Sequence, residues 1–433
     1  MSSPRQANWS DRLAAGPSYK WIVVGLLFFS GFLNMEDRVV IFSVMPLIRR
    51  DLALTDFQIG ILMAAFLWTY AFCSPFAGYI ADRVSRTRVI VGCLATWSLV
   101  TIAAGFVTSG HQMIGVRVLL AVSEAFYIPA SLAIVADHHS AKTRAKAVGI
   151  VLFGMSLGPI LGGAGAGWIG DHYGWRPVLM ILGGIGLVLA FTQWLFLRDA
   201  TNRKTREESP ADARPPAAMR TVVGDLLRTP SYVLMTAAVG LVAFGVWMLV
   251  TWLPLFLVEA FGLTLAQSGF WGNLAVTGPS FISSLAGGAL SDYAGAGNPR
   301  RRMLLMIGFY CLVLPWPLLF LTAKAVPLVL VSVFFFQLCR GMSDLNSHPL
   351  VYELVPAERR ATAIGMANCV NTVFGGGGAL IVGYFKSSLG FQVVFGLVPV
   401  VIAASITCLA VAYLKFLPRD LARSAAAAAR AGT

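Results

Sequence analysis

Arg117-Val-Leu-Leu-Ala-Val-Ser-Glu124-Ala-Phe-Tyr-Ile-Pro129 places an arginine and a glutamate in the middle of an apolar run that is long enough to cross a bilayer. A charged side chain at that depth costs about 2.5–3.5 kcal/mol on insertion scales, so it persists where it faces a polar cavity or an opposite charge. A second charged pair, Asp37-Arg38, lies in the first apolar segment of the chain. Together these residues indicate a polar pathway inside a membrane-embedded bundle of helices.

The composition also indicates a membrane protein. Of the 433 residues, 57% are hydrophobic and 12% are charged, and the mean hydropathy is +0.74. Soluble domains contain roughly 25% charged residues. The net charge of +13 comes from short basic clusters between apolar segments, which is typical of membrane topology and not of a nucleic-acid-binding surface. The six cysteines lie in apolar runs without a CxxC pair, so we expect neither disulfides nor a metal site.

Apolar segments of about 20 residues recur twelve times along the chain. They predict an all-α polytopic membrane protein with twelve transmembrane helices in two pseudo-symmetric six-helix bundles. We expect an N-terminal bundle at 1–197, a cytoplasmic linker at 198–230, a C-terminal bundle at 231–417 and a cytoplasmic tail at 418–433. Lys and Arg are concentrated on one side of these segments, which predicts cytoplasmic termini, and the first apolar segment is expected to be a retained helix and not a signal peptide.

Two internal similarities support the two-bundle arrangement. Gly78-Tyr-Ile-Ala-Asp82 has a counterpart in Gly288-Ala-Leu-Ser-Asp292, and basic residues follow both stretches. Asp137 and Glu353 begin another pair of similar stretches, whose matching residues keep a constant offset along the chain. Homologous halves are the simplest explanation, because fixed-offset similarity is how internal repeats of transporters show in a sequence.

Helical geometry limits how the four intramembrane charges can pair. Arg117 and Glu124 lie on one face of a helix but about 10 Å apart along its axis, which is too far for a direct ion pair in a straight helix. Asp37 and Arg38 are adjacent, so their side chains diverge by about 100°. We therefore expect pairing between the first and fourth helices, with Asp37 near Arg117 or Arg38 near Glu124. The structural alternative is an ion-pair cluster that only fastens the two helices.

The loop after the second apolar segment, Gly78-x-x-x-Asp82-Arg83-x-Ser85-Arg86-x-Arg88, resembles the corresponding loop of the major facilitator superfamily, with Ser85 in place of the usual glycine. The resemblance covers essentially the whole chain. It implies that this loop locks one conformation of an alternating-access transporter. The residues of this predicted conformational gate are Gly78, Asp82, Arg83, Arg86 and the repeat counterpart Asp292.

Within that superfamily, three stretches are similar to the anion:cation symporter branch, which carries sugar acids and other organic anions. They are Met35-Glu36-Asp37-Arg38, the Arg117–Pro129 stretch and Trp252-Leu253-Pro254-Leu255-Phe256-Leu257. Spinster-type transporters share the first two features. The resemblance implies that Asp37 and Glu124 are the proton-coupling residues.

The predicted cavity contains an excess of arginine, which favours an anionic substrate. A guanidinium group keeps its charge when buried, and its N–H groups can bind both oxygens of a carboxylate. We expect Arg38 and Arg117 to bind the substrate. Arg340, which is the counterpart of Glu124 at the repeat offset and precedes Asp344 by one helical turn, is either a further anion contact or half of an internal ion pair. The remaining predicted substrate-binding residues are polar or aromatic: Asn34, Tyr70, Tyr127, Trp247, Asn273, Asn368 and Asn371.

The sequence thus predicts a secondary active transporter, in which a small organic anion such as a sugar acid moves together with a proton. We expect a monomer in a bacterial inner membrane, with no nucleic-acid partner and no cofactor or metal beyond the coupling proton. A spinster-like lysolipid transporter, a proton-driven drug exporter and a non-transporting sensor remain alternatives. The sequence has no Gly-rich phosphate loop, metal motif or nucleophile–base pair, so we do not expect an enzyme.

Overall fold

The computed structural model describes residues 16, 18–199, 219–295, 298–356 and 359–431. Residues 200–218 of the predicted linker lie outside this part of the chain. Every regular element in the described ranges is helical. The chain divides into two compact units, the first formed by Met1–Ala53 and Phe72–Ala213, the second by Leu54–Ala71 and Arg214–Thr433.

Two spans of the first half consist of two helices each, with the break at or near proline or glycine, and the others are single helices. In chain order they are α1 (Tyr19–Ser43), α2 (Met45–Asp51), α3 (Asp56–Arg83), α4 (Arg86–Ala104), α5 (Gly110–Glu124), α6 (Tyr127–His138), α7 (Ala141–Leu157), a π-helical turn (Gly158–Gly162), α8 (Gly163–Tyr173) and α9 (Trp175–Phe196).

The second half begins with a short helix from the end of the linker and continues with the same pattern. Its helices are α10 (Met219–Leu227), α11 (Pro230–Phe261), α12 (Leu265–Ile282), α13 (Gly288–Gly295), α14 (Pro299–Val313), α15 (Pro315–Leu318), α16 (Val326–Asp344), α17 (Ser347–Leu354), α18 (Arg360–Gly396), α19 (Val398–Val411) and α20 (Leu417–Ala431).

Eleven segments in the described part of the chain are long and apolar enough to span a membrane. Helix α1 accounts for the remaining predicted span. It has 25 residues, but Lys20 at its start and the Glu36-Asp37-Arg38 triplet near its end reduce its apolar character. The prediction of an all-α polytopic membrane protein is confirmed.

The helix break that follows Glu124 has a local cause. Pro129 lacks the N–H that would bond to the carbonyl of Ala125, so α5 ends at Glu124 and α6 begins at Tyr127. In the second half, α16 ends at Asp344 and α17 begins at Ser347, with a proline again as its third residue. Both breaks follow an acidic residue at the end of a helix.

This break alters one sequence alignment. The constant repeat offset makes Arg340 the equivalent of Glu124. In the structure, however, α5 ends at Glu124 and α16 ends at Asp344, so Asp344 is the residue at the equivalent position. The difference arises because α6 has 12 residues and α17 has 8, so the second copy of this helix is one turn shorter. An acid, and not an opposite charge, therefore occupies this position in both halves.

Equivalent ion pairs relate the two halves. In the first unit Arg86 pairs with Asp137, and in the second the Arg302 guanidinium lies 3.8 Å from the carboxylate of Glu353. Both members of the second pair follow those of the first at the same offset along the chain. The pairs tie the start of α4 to α6 and the start of α14 to α17, respectively.

Backbone contacts repeat at the same offset. Arg144 donates to the carbonyls of Ala136 and His139, and Arg360 donates to those of Tyr352 and Val355. Gly174 and Gly390 both adopt positive φ, 85° and 77°, where the fifth and eleventh spans turn into the next helix. Glycine is required at these turns because other residues rarely adopt such φ values.

Packing within each unit positions the functional side chains. In the first unit, α1 packs against α7 and the π-helical turn, and α4 packs against α9. In the second, α11 packs against α18 and α19. A buried lysine of α18, Lys386, joins that unit by binding Asp56 of α3 at 2.9 Å and Glu259 of α11 at 2.8 Å.

Candidate functional site

Glu124 is the centre of a polar cluster in the first unit. Its side chain is fully buried, and its Oε2 accepts hydrogen bonds from Arg38 Nε at 2.8 Å and from Asn34 Nδ2 at 3.3 Å. Asn34 and Arg38 are one helical turn apart on α1, so both reach the same oxygen at the end of α5. One of the two pairings predicted between the first and fourth spans, Arg38 with Glu124, is therefore present.

Arg117 contacts α1 through its backbone. Its guanidinium donates to the main-chain carbonyl of Asp37 at 3.3 Å and to that of Arg38 at 3.4 Å. The Asp37 carboxylate instead accepts a hydrogen bond of 3.4 Å from Thr101 of α4. Arg117 thus holds the Asp37-Arg38 segment in place, and the predicted proximity of Arg117 to Asp37 is present through the Asp37 carbonyl.

Two buried acceptor atoms of this cluster lack a hydrogen bond from the described residues. They are Glu124 Oε1 and Asn34 Oδ1. Buried polar atoms are almost always satisfied, so such orphans mark a place for a proton or a donor group. The cluster accordingly offers two acceptor atoms to a proton or a donor group beside an arginine, which suits a site that binds both a proton and an anion.

Tyr127 follows the helix break and serves the architecture of the first unit. Its hydroxyl donates to the carbonyl of Leu27 at 2.9 Å and lies 3.0 Å from Ser30, and its ring meets that of Trp97 edge to face. Gln193 of α9 also donates to Ser30. These contacts fasten α1 to α6, α4 and α9 beside the break.

The other predicted substrate-binding residues lie in the second unit. Arg340 pairs with Asp344 at 2.7 Å, and Tyr310 donates to the same aspartate at 3.0 Å, so the internal ion pair left open by the sequence is present. Asn273 donates to the carbonyl of Gly269, and the Trp247 ring lies where a side chain on Gly375 would be. Tyr70 stacks on Phe66, Asn371 is half-buried and Asn368 is exposed.

The predicted gate is described only in part. The side chains of Gly78, Asp82 and Arg83 lie outside the described residues. Arg86 donates to the carbonyl of Ala133 at 2.9 Å as well as pairing with Asp137, and Asp292 is exposed. The gate remains a prediction.

Sequence reasoning missed Glu36. Its side chain is only 4% exposed, and it lines an apolar cavity between α1, the π-helical turn, α8 and α9. The residue belongs to the Met35–Arg38 stretch, but helical spacing assigns it no partner. A signal is present in the sequence, since Gly158 and Gly162 of the fifth span mark where α1 approaches that span closely.

Within the described residues, no group of three or more His, Cys, Asp or Glu side chains is placed to hold a metal ion. The residues of the charged cluster can themselves carry out two kinds of chemistry, which are hydrogen bonding to an anion and exchange of a proton.

Comparisons with known proteins agree with this architecture. The sequence profile of the Major Facilitator Superfamily matches residues 27–323 and 273–432. An MFS-type efflux pump of Mycolicibacterium smegmatis is 30% identical over 396 residues, which cover 90% of each chain. A probable sulfoacetate transporter of Cupriavidus necator is 27% identical over 384 residues, covering 85% of this chain and 88% of that protein.

A solved structure gives the same fold. The crystal structure of a bacterial homolog of the human lysosomal transporter Spinster, in an inward-facing and unoccupied conformation, aligns with a TM-score of 0.75 at 20% identity. The alignment covers 95% of this chain and 99% of that one. The superfamily resemblance stated from the sequence is confirmed. The chain belongs to the Major Facilitator Superfamily, and it is a membrane transporter and not an enzyme.

Proposed function

We propose that this protein is a proton-coupled symporter of a small organic anion, such as a sugar acid or a related carboxylate. The observation that carries the proposal is the buried Arg38–Glu124 pair, in which one carboxylate oxygen holds the arginine and the other lacks a hydrogen bond from the described residues. The likeness to a probable sulfoacetate transporter supports an anionic substrate.

The coupling follows from competition for Arg38. An incoming carboxylate binds the guanidinium and displaces Glu124. A buried carboxylate without its partner is costly, and taking up a proton removes that cost. Arg117 keeps Asp37 and Arg38 in position, and Asp37 shares with Glu124 the role of carrying the one coupling proton. The loaded site then changes conformation by alternating access, with the Arg86–Asp137 pair as part of the gate.

The proposal extends to the setting of the protein. A monomer in a bacterial inner membrane, with both termini in the cytoplasm, fits the distribution of Lys and Arg along the sequence. In that orientation the proton gradient drives the anion inwards.

A second candidate function is proton-driven export. The 30% identity with an efflux pump favours it. In that case protonation of Glu124 and binding of the substrate at Arg38 exclude each other, so the two move in opposite directions.

The test is transport in proteoliposomes with an imposed pH gradient. We expect uptake of a radiolabelled sugar acid to follow the inward proton gradient. Glu124→Gln is expected to reduce gradient-driven accumulation at least about tenfold, equivalent to about 1.4 kcal/mol, while substrate exchange without a gradient continues. Asp51→Asn, which changes an exposed acid, is the matched control and should accumulate normally.

Undiminished accumulation by Glu124→Gln would remove this residue from coupling. Extrusion of the substrate against inward proton flow would replace symport with export, and transport of lysolipids without transport of any hydrophilic anion would exclude both.

A further inference from the structure

The first unit contains a cavity whose lining does not include Arg38, Arg117 or Glu124. It has a volume of about 710 Å³ and lies between α1, the π-helical turn, α8 and α9. Small-molecule sites typically measure about 300–1,000 Å³. We propose that this cavity binds an amphipathic amine, with Glu36 holding the ammonium group and the apolar walls holding the hydrocarbon tail.

Glu36 is the charged group of this cavity. It is more than nine-tenths buried, and no hydrogen bond or ion pair joins its carboxylate to any residue in the described ranges. The acids next to it differ, since Asp37 binds Thr101 and Glu124 binds Arg38. A carboxylate with no partner inside a membrane span is a functional residue by default, because its burial is costly without a counter-charge or a proton.

The backbone is shaped to admit this side chain. A Cβ on Gly162 would lie 2.4 Å from the Glu36 carboxyl carbon, and a Cβ on Gly158 would lie 2.3 Å from the carbonyl oxygen of Phe32. These two glycines bound the π-helical turn, a local irregularity that is frequent at functional sites. The fifth span therefore carries no side chain at Gly158 and Gly162, where α1 and Glu36 lie against it.

The walls select the rest of the ligand. Phe29, Ile185 and Val188 line the cavity and are 58%, 50% and 68% exposed, respectively, on spans that lie in the membrane. Thr192 supplies a hydroxyl at one edge, but it already donates to the carbonyl of Val188. A ligand entering through these exposed residues comes from the lipid phase and needs a hydrocarbon chain.

Charge complementarity then fixes the head group. While Glu36 is ionised, an anionic head is repelled by it, and a neutral head leaves the carboxylate without a counter-charge. A primary ammonium forms a charge-assisted hydrogen bond with it and contributes its own counter-charge. The site is thus a lateral, lipid-facing one for long-chain amines, and it takes ligands of the opposite charge from those of the proposed transport site.

The experiment uses the full chain in phosphatidylcholine nanodiscs with a photoactivatable diazirine derivative of dodecylamine as the probe. We expect saturable labelling of peptides from 158–192. Dodecylamine should compete, whereas dodecanol and dodecanoate should compete at least about tenfold less well, because only the ammonium makes a charge-assisted contact with Glu36.

Two variants test the assignment independently. Glu36→Gln should lose saturable labelling by removing the charge. Gly184→Leu should lose it by filling the cavity, since a Cβ at Gly184 meets no atom within 4 Å. Glu124→Gln should label like the unmodified protein, which separates this cavity from the transport site. Monodisperse elution of each variant establishes that it is folded.

Three results would overturn the proposal. They are non-saturable labelling, equal competition by dodecanol, and labelling of folded Glu36→Gln at the level of the unmodified protein. Each would mean that the cavity holds ordinary lipid chains and that a bound proton alone neutralises the Glu36 carboxylate.

Discussion

Arg38 acts through the geometry of its guanidinium. Its Nε donates to Glu124 Oε2 at 2.8 Å, and the Arg38 side chain is 16% exposed. The guanidinium is therefore neither fully buried nor fully solvated. A planar fork can bind two oxygens at once, whereas an ammonium acts as a point charge. Recognition of a carboxylate at this position therefore depends on arginine specifically, and not only on a positive charge.

Replacing Arg38 by lysine tests that dependence. Arg38→Lys is expected to raise the KM for the transported anion about tenfold, because the bidentate contact is lost, with less effect on the number of protons moved for each substrate. Initial rates of proteoliposome uptake over a range of substrate concentrations measure the change.

The matched control is Arg176→Lys. Arg176 pairs with Asp51 at the exposed end of α2, where both side chains are more than a third exposed. Exposed pairs contribute little, so this variant should keep its KM. An unchanged KM in Arg38→Lys would show that Arg38 does not bind the substrate.

At the scale of elements, the fifth span has two kinds of glycine. Gly162 lies in the π-helical turn against Glu36, whereas a Cβ on Gly165, one turn later in α8, would meet no atom within 4 Å. Both line the lateral cavity. Close packing against α1 thus explains Gly162, and open space surrounds Gly165.

Alanine substitution should separate the two positions. Gly162→Ala is expected to lower the melting temperature in detergent by several degrees, because overpacking costs about 1–3 kcal/mol. Gly165→Ala is expected to leave it unchanged or slightly raised, since alanine is the better helix former by about 1 kcal/mol. Equal melting temperatures for the two variants would contradict the close approach of Glu36 to the π-helical turn.

For the whole molecule, charge balance limits what the proposed symport cycle can carry. The cluster of Asp37, Arg38, Arg117 and Glu124 contains two acids and two arginines, and the Arg340–Asp344 pair is also balanced. The excess of arginine expected from the sequence is therefore not found among these residues. Adding one proton and one monovalent anion leaves this balance unchanged. Adding a divalent anion with one proton leaves one net negative charge, which is costly to move within a bilayer.

Transport under a clamped membrane potential measures this balance. Uptake of a sugar monoacid with one proton is expected to be independent of the potential. A sugar diacid moved with one proton would carry one charge, worth about 2.3 kcal/mol per 100 mV, so its uptake should depend steeply on the potential. A steep dependence for the monoacid would contradict the one-to-one stoichiometry.

Much of the fold was predictable because each piece of evidence is local. Apolar length predicts spans, and repeated residues at a fixed offset predict two halves, as the equivalent Arg86–Asp137 and Arg302–Glu353 pairs reflect. The Arg38–Glu124 pair was predictable as one of two options, because helical periodicity restricts which neighbours can meet. The alignment of Glu124 with Asp344 was not predictable from the sequence. It depends on α17 being one turn shorter than its counterpart α6, and the stretches that match at the repeat offset do not show this difference.

The sequence by itself determined that the chain is a helical membrane protein made of two related halves, and that buried arginines and acids lie in its first and fourth spans. Apolar length and buried charge suffice for this, because the bilayer admits few other solutions. Only the tertiary structure decided which oxygen each arginine holds, and that Glu36 turns away from the charged cluster towards the fifth and sixth spans. Side-chain direction depends on which helix packs against each face of α1, and that packing is set by residues that are distant in the sequence.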